Sequence, residues 1–138
     1  MIPEHQIIHI GVTKLRRYVH KLRTQPAREQ RHQQEHVETV EQIFRRLVVL
    51  TTNLAHHMVG RLRLPVPDDS TEVFHVLGRA GVLPTDLAER LSGVALLRAE
   101  LAHGYCQIES EKIDSWVPQR LDDFLAFADC TAKTLLSE

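Results

Sequence analysis

The chain has 138 residues, 43% of them hydrophobic and only 5% aromatic, with a formal net charge of −1. That length fits one domain spanning residues 1–138 with a core of its own. The near-neutral total argues against a protein built only to coat nucleic acid, which would be more basic overall. The apolar runs, such as Leu47-Val48-Val49-Leu50, are too short to span a bilayer. The segment Met1 to Ile10 carries Glu4, His5 and His9 rather than a basic-then-apolar signal pattern. Cys106 and Cys130 show neither metal-ligand spacing nor a disulfide framework, so reduced thiols in a cytoplasmic protein are expected.

In chain order the periodicity is helical throughout, with no period-2 alternation and no hairpin turn signal. Ile7, Ile8, Val12, Leu15, Val19 and Leu22 predict a first helix to about Thr24, ended by Pro26. Val37, Val40, Phe44, Leu47, Val48, Leu54, Ala55 and Met58 predict a long second helix from about Arg28 to Arg63, stopped by Pro65-Val66-Pro67. Asp69 and Glu72 have the spacing of an N-terminal capping pair. They open a short helix carrying Val73, Phe74, Val76 and Leu77, which Gly78 and Gly81 close. Pro84, Thr85 and Asp86 start the next, with Leu87, Leu91, Val94, Ala95 and Leu97, weakening near Gly104. The last helix holds Ile113, Trp116, Val117, Leu121, Phe124, Leu125, Ala128 and Leu135, with Pro118 expected in its first turn. The pattern therefore predicts an all-α fold, an antiparallel (up-down) bundle of four to five helices. The second helix is apolar over a face broad enough to suggest a homodimer.

Charge is unevenly placed: residues 1–63 hold eleven Lys/Arg against five Asp/Glu, and residues 64–138 hold six against thirteen. Two readings follow, solvated basic helix faces or an acidic or nucleic-acid partner for the first half. The pairs Arg45-Arg46 and Arg61-x-Arg63 fit either.

The chemistry-bearing stretch is Arg98-Ala99-Glu100-Leu101-Ala102-His103-Gly104-Tyr105. Buried helix positions are seldom spent on Arg and His unless the groups are paired or used. A turn of 100° per residue puts Arg98, Ala102 and Tyr105 on one stripe, with His103 about 140° from Arg98. The two meet only at a distorted helix end or across a two-fold axis, where two copies of each would form one site. An arginine fork holds a phosphate, a histidine moves protons near neutral pH, and RNA carries its own nucleophile in the 2′-hydroxyl. On spacing alone, a paired arginine and a hydrogen-bonded histidine in structural roles remain the simpler reading.

Two other histidine pairs sit at i, i+4. His32-Gln33-Gln34-Glu35-His36 matches the inverted zinc-protease pattern, but its surroundings are polar and no further ligand is placed. His5 and His9 offer no more than adventitious metal binding. No metal or cofactor is expected. His56-His57 falls on the second helix with no assigned role.

Arg98-x4-His103-x-Tyr105, together with the preceding long helix Phe44 to Met58, Ser70-Thr71-Glu72-Val73-Phe74, Leu77-Gly78, Gly81-Val82-Leu83 and Leu87 to Leu91, resembles the HEPN-domain toxins, specifically their HepT-like branch. The resemblance spans about residues 5–136. It implies an all-α, HEPN-like homodimer acting as a metal-independent endoribonuclease toxin, with Arg98 and His103 as the catalytic pair. It further implies an MNT-type nucleotidyltransferase antitoxin that modifies Tyr105 with AMP, adding charge and bulk beside the arginine. One position departs from the family pattern: Ala99 stands where members commonly have asparagine. That departure favours the alternative of a non-catalytic helical interaction or nucleotide-binding subunit of the same partner.

Overall fold

A computed structural model of the chain describes residues 4–24, 34–102 and 110–135. Five α-helices follow one another: α1 (Glu4–Arg23), α2 (Gln34–Arg61), α3 (Val73–Arg79), α4 (Thr85–Ala102) and α5 (Ser110–Leu135). There is no strand among the described residues, as the helical periodicity predicts. α2 is the central element and packs against each of the other four helices.

The core follows the predicted stripes. Ile8, Val12, Leu15 and Val19 of α1 meet Phe44, Leu47, Val48, Leu54, Ala55 and Met58 of α2, all buried. Val73, Phe74, Val76 and Leu77 of α3, Leu87, Leu91, Val94 and Ala95 of α4, and Leu121, Phe124, Phe127 and Ala128 of α5 also belong to it. Ile7 departs from expectation at 38% exposed, because Ile8 occupies the inward position of that turn. Most of the described apolar face of α2 is covered within the chain. Among the described residues, the large apolar groups left outside lie on α1 (Ile7, Ile10), in the loop after α2 (Val66) and on α4 (Leu96, 55% exposed).

Three threonines sit in this core without orphaning a hydroxyl. Thr51, Thr52 and Thr131 donate to the carbonyls of Leu47, Val48 and Phe127 one turn back, at 2.7, 2.8 and 2.9 Å. Buried hydroxyls are tolerated on helices when the carbonyl four residues back accepts their proton.

The charge asymmetry is in part an internal match. Arg16 pairs with Asp129 at 2.9 Å and Arg23 pairs with Asp122, joining basic α1 to acidic α5. The partners are seven residues apart on both helices and run in opposite order, which makes α1 and α5 antiparallel. Arg90 of α4 reaches Asp123 of α5 at 2.9 Å and Asp86 at 3.3 Å. Exposed pairs of this kind contribute at most about 1 kcal/mol each, so they set register more than stability.

The helix ends refine the sequence reading. The segment 25–33, with Pro26 and the expected start of the second helix at Arg28, lies outside the described residues. α2 ends at Arg61 rather than Arg63 because Arg63 turns left-handed (φ 55°). Arg63 N–H then donates to the Gly60 carbonyl and Leu64 N–H to the Val59 carbonyl, at 3.2 and 2.9 Å. That is the paired hydrogen-bond pattern of a helix stop usually built on glycine. Arg63→Gly is therefore expected to stabilise the fold by about 0.5–1 kcal/mol in urea denaturation.

Asp69 caps as predicted, accepting from Thr71 N–H at 3.0 Å, but the turn it caps is a 3₁₀ turn, Ser70–Glu72, with α3 starting after it. Gly81 (φ 78°) closes α3, but Gly78 lies inside it. A methyl at Gly78 would stand 2.7 Å from the Ala88 Cβ, so the glycine serves close approach of α3 and α4 rather than termination. Pro118 is the ninth residue of α5, not a first-turn residue. The helix carries on through it with one N–H donor fewer.

Candidate active site

Register places Arg98. Leu87, Leu91, Val94 and Ala95 form the buried stripe of α4, and Arg98 follows the last two by four and three residues, on the same side of the helix. It is half-buried, as is Ala99 beside it. A guanidinium thus continues the core-facing stripe where α4 leaves the core. α4 extends to Ala102. His103 and Tyr105, with Gly104 and Cys106, lie outside the described residues.

From α2, His56 comes near enough to this arginine to feel its charge. It is half-buried, one turn beyond buried Thr52. Burial first, then the Arg98 charge, then His57, hold its imidazole below the ordinary histidine value. It is therefore a neutral ring at neutral pH, able to accept one hydrogen bond and donate one. Around it α2 forms an open recess of ≈ 440 Å³ lined by Asn53, His56, His57, Gly60 and Arg61. The described lining residues carry amide, imidazole and guanidinium groups.

The remaining sequence candidates separate from this site. Arg45 is half-buried and Arg46 exposed, neither in the recess, and Arg63 serves the end of α2. His9 is exposed on α1. His32 lies outside the described residues, and so do the side chains of His5, His36 and Trp116. Among the described residues no three His, Cys, Asp or Glu side chains group as a metal-ligand set. Cys130 is half-buried; burial and then Asp129 push its thiol pKa up, which keeps it protonated and a poor nucleophile. No helix among the described residues is long and apolar enough to cross a membrane.

Fold and site together define a helical bundle with a half-buried, phosphate-competent arginine at the end of its fourth helix. The comparisons sharpen that class. The family model described as "Ribonuclease HepT-like" matches residues 11–131. The chain belongs to the HepT-like ribonuclease family. Solved structures share its fold at low identity. A mutant toxin–antitoxin complex, MntA–HpeT, superposes with a TM-score of 0.79 at 19% identity, over 92% of this chain and 98% of that one. The tri-AMPylated Shewanella oneidensis HEPN toxin in complex with MNT antitoxin gives 0.78 at 18% identity, over 96% and 99%. A toxin–antitoxin structure with AMP-PNP gives 0.75 at 17% identity, over 94% and 99%. No curated protein sequence matches.

The sequence left His56 and Asn53 without a role. Neither has a spacing relation to Arg98; the packing of α2 against α4 brings His56 to the arginine.

Proposed function

We propose that the chain is the toxin of a HEPN/MNT toxin–antitoxin pair, a cytoplasmic endoribonuclease that needs no metal and works as a homodimer. The observation that carries this reading is the half-buried Arg98 at the end of the α4 core stripe, within the family's motif. In the proposed reaction the RNA 2′-hydroxyl attacks the adjacent phosphorus. His103 moves the proton between the attacking and leaving oxygens, and Arg98 stabilises the charge that develops on the phosphoryl oxygens. Because His103 stands about 140° from Arg98 on a regular helix, a cleft shared by two copies is the arrangement that brings them together.

A nucleotidyltransferase partner fits the same site. The related structures include a HEPN toxin that is AMPylated and bound to MNT antitoxin. Transfer of AMP to Tyr105, seven residues from Arg98, would set a phosphodiester anion and an adenosine beside the arginine, competing with RNA. A second reading is favoured by Ala99, which lacks the amide usual after the motif arginine: a non-catalytic subunit that binds the nucleotidyltransferase or a nucleotide.

RNA cleavage with all divalent metal chelated separates the two. The wild type is expected to cut and His103→Ala to lose about 10²–10⁴-fold, the usual contribution of a positioned acid–base group. No cleavage by the wild type supports the non-catalytic reading, and equal cleavage by both proteins removes His103 from the reaction.

A further inference from the structure

A guanidinium delivers its planar fork to a phosphate only when the fork is aimed, and aiming needs an acceptor for its spare N–H groups. His103, about 140° round a regular helix from Arg98, does not supply one from within the same helix. His56 comes from another element. Its helix, α2, packs against α4, and Ala55, Met58 and Val59 around it are buried, which fixes its backbone. The ring is half-buried, as Arg98 is, and also lines the open recess on α2, so a ligand can reach one edge of it. We propose that His56 is a positioning residue for Arg98: its uncharged imidazole accepts one guanidinium N–H and so aims the rest of the fork at the phosphate to be cleaved. This rests on the ribonuclease reading of Arg98 and adds to it the group that orients the arginine.

The chemistry of the partner suits that task. A carboxylate would hold a guanidinium tightly, but it would also cancel the charge that a developing oxyanion needs. A neutral imidazole orients without cancelling, because its one acceptor nitrogen takes a single N–H and leaves the others to the substrate. His56 is kept in that form. Burial first, then Arg98 from α4, then His57 beside it on α2 hold the ring below the ordinary histidine value, so at neutral pH it does not repel the arginine. Placement on a rigid helix matters as much as charge, since a shift of about 1 Å in a reacting group can cost on the order of 10²-fold in rate.

Two substitutions separate aiming from mere packing. His56→Ala removes the acceptor, and His56→Gln keeps an uncharged one. Single-turnover cleavage over a range of protein concentrations gives a maximal rate and a half-saturating concentration. His56→Ala is expected to lower the maximal rate roughly ten- to a hundredfold, with half-saturation within about threefold of wild type. His56→Gln is expected to restore the rate to within about threefold of wild type, as a retained acceptor requires. In an Arg98→Lys background, His56→Ala should cost less than about twofold further, because no fork is left to aim. Independently of cleavage, the His56 ring is titrated by NMR in the wild type and in Arg98→Met, where loss of the neighbouring charge is expected to raise its midpoint. Circular dichroism checks that each variant is folded, and the half-buried position of His56 favours that. Equal maximal rates for wild type and His56→Ala overturn the proposal, as do fully additive losses with Arg98→Lys or a His56 midpoint that Arg98→Met leaves unmoved. A wild type that never cuts RNA contradicts the ribonuclease reading instead, while the titration still decides whether His56 and Arg98 act as a pair.

Discussion

Arg98→Lys is expected to lower RNA cleavage by about 10²–10³-fold, the cost of removing one well-placed donor to a developing oxyanion. The substitution keeps the positive charge and most of the aliphatic stem. What it removes is the planar fork, which can give two parallel hydrogen bonds to phosphate oxygens where an ammonium acts as a point charge. The side chain continues the buried stripe of Leu91, Val94 and Ala95, and a half-buried stem is held in fewer conformations than an exposed one. A lysine there retains the packing and loses the geometry. The loss is therefore expected in the rate of the chemical step, with RNA binding reduced far less. Single-turnover cleavage, with the protein in excess of the RNA and at a saturating concentration, makes the distinction. Cleavage by Arg98→Lys within about threefold of wild type, well short of the loss typical for such a donor, would mean that the guanidinium fork is not used.

The second large effect concerns folding. Phe127 is fully buried, and its ring meets that of Phe74 edge-to-face, with centroids 5.7 Å apart and planes at 78°. The contact joins α5 to α3, an element of only seven residues, too short to be stable by itself. Phe127→Ala removes the ring, opens a cavity in the core and loses the aromatic pair. Such changes typically cost about 3–5 kcal/mol, a large part of the roughly 5–15 kcal/mol that holds a domain together. Urea denaturation of Phe127→Ala is expected to show that loss, while Leu96→Ala, at an exposed position, stays within about 0.5 kcal/mol of wild type. A cost below about 1 kcal/mol at Phe127, the mark of a site that collapses around the deletion, would contradict the packing described.

Much of the bundle is legible in the sequence because burial and helical periodicity are the same signal. The stripes Ile8–Val12–Leu15–Val19 and Phe44–Leu47–Val48 repeat at the spacing that their packing requires. Termini are less legible because they depend on local backbone geometry. A left-handed arginine at position 63 and a glycine at position 78 that serves helix packing both contradict residue statistics, which favour glycine in the first role and a helix end in the second. The charge asymmetry is readable only as a surplus; the matching of Arg16 and Arg23 to Asp129 and Asp122 requires α1 and α5 to be antiparallel neighbours. The site divides in the same way. Arg98 announces itself as a charge on an apolar stripe, whereas His56 is one of nine histidines until α2 packs against α4.

The most direct measurement is the chemistry of the cut ends. Incubated with RNA and a metal chelator, the wild type is expected to leave 2′,3′-cyclic phosphate and 5′-hydroxyl termini, since the 2′-oxygen is the nucleophile and no water enters the first step. His103→Ala should leave the RNA whole over the same period. Fragments with 3′-hydroxyl and 5′-phosphate ends, or cleavage that stops in the wild type once metal is removed, would contradict a reaction run by Arg98 and His103.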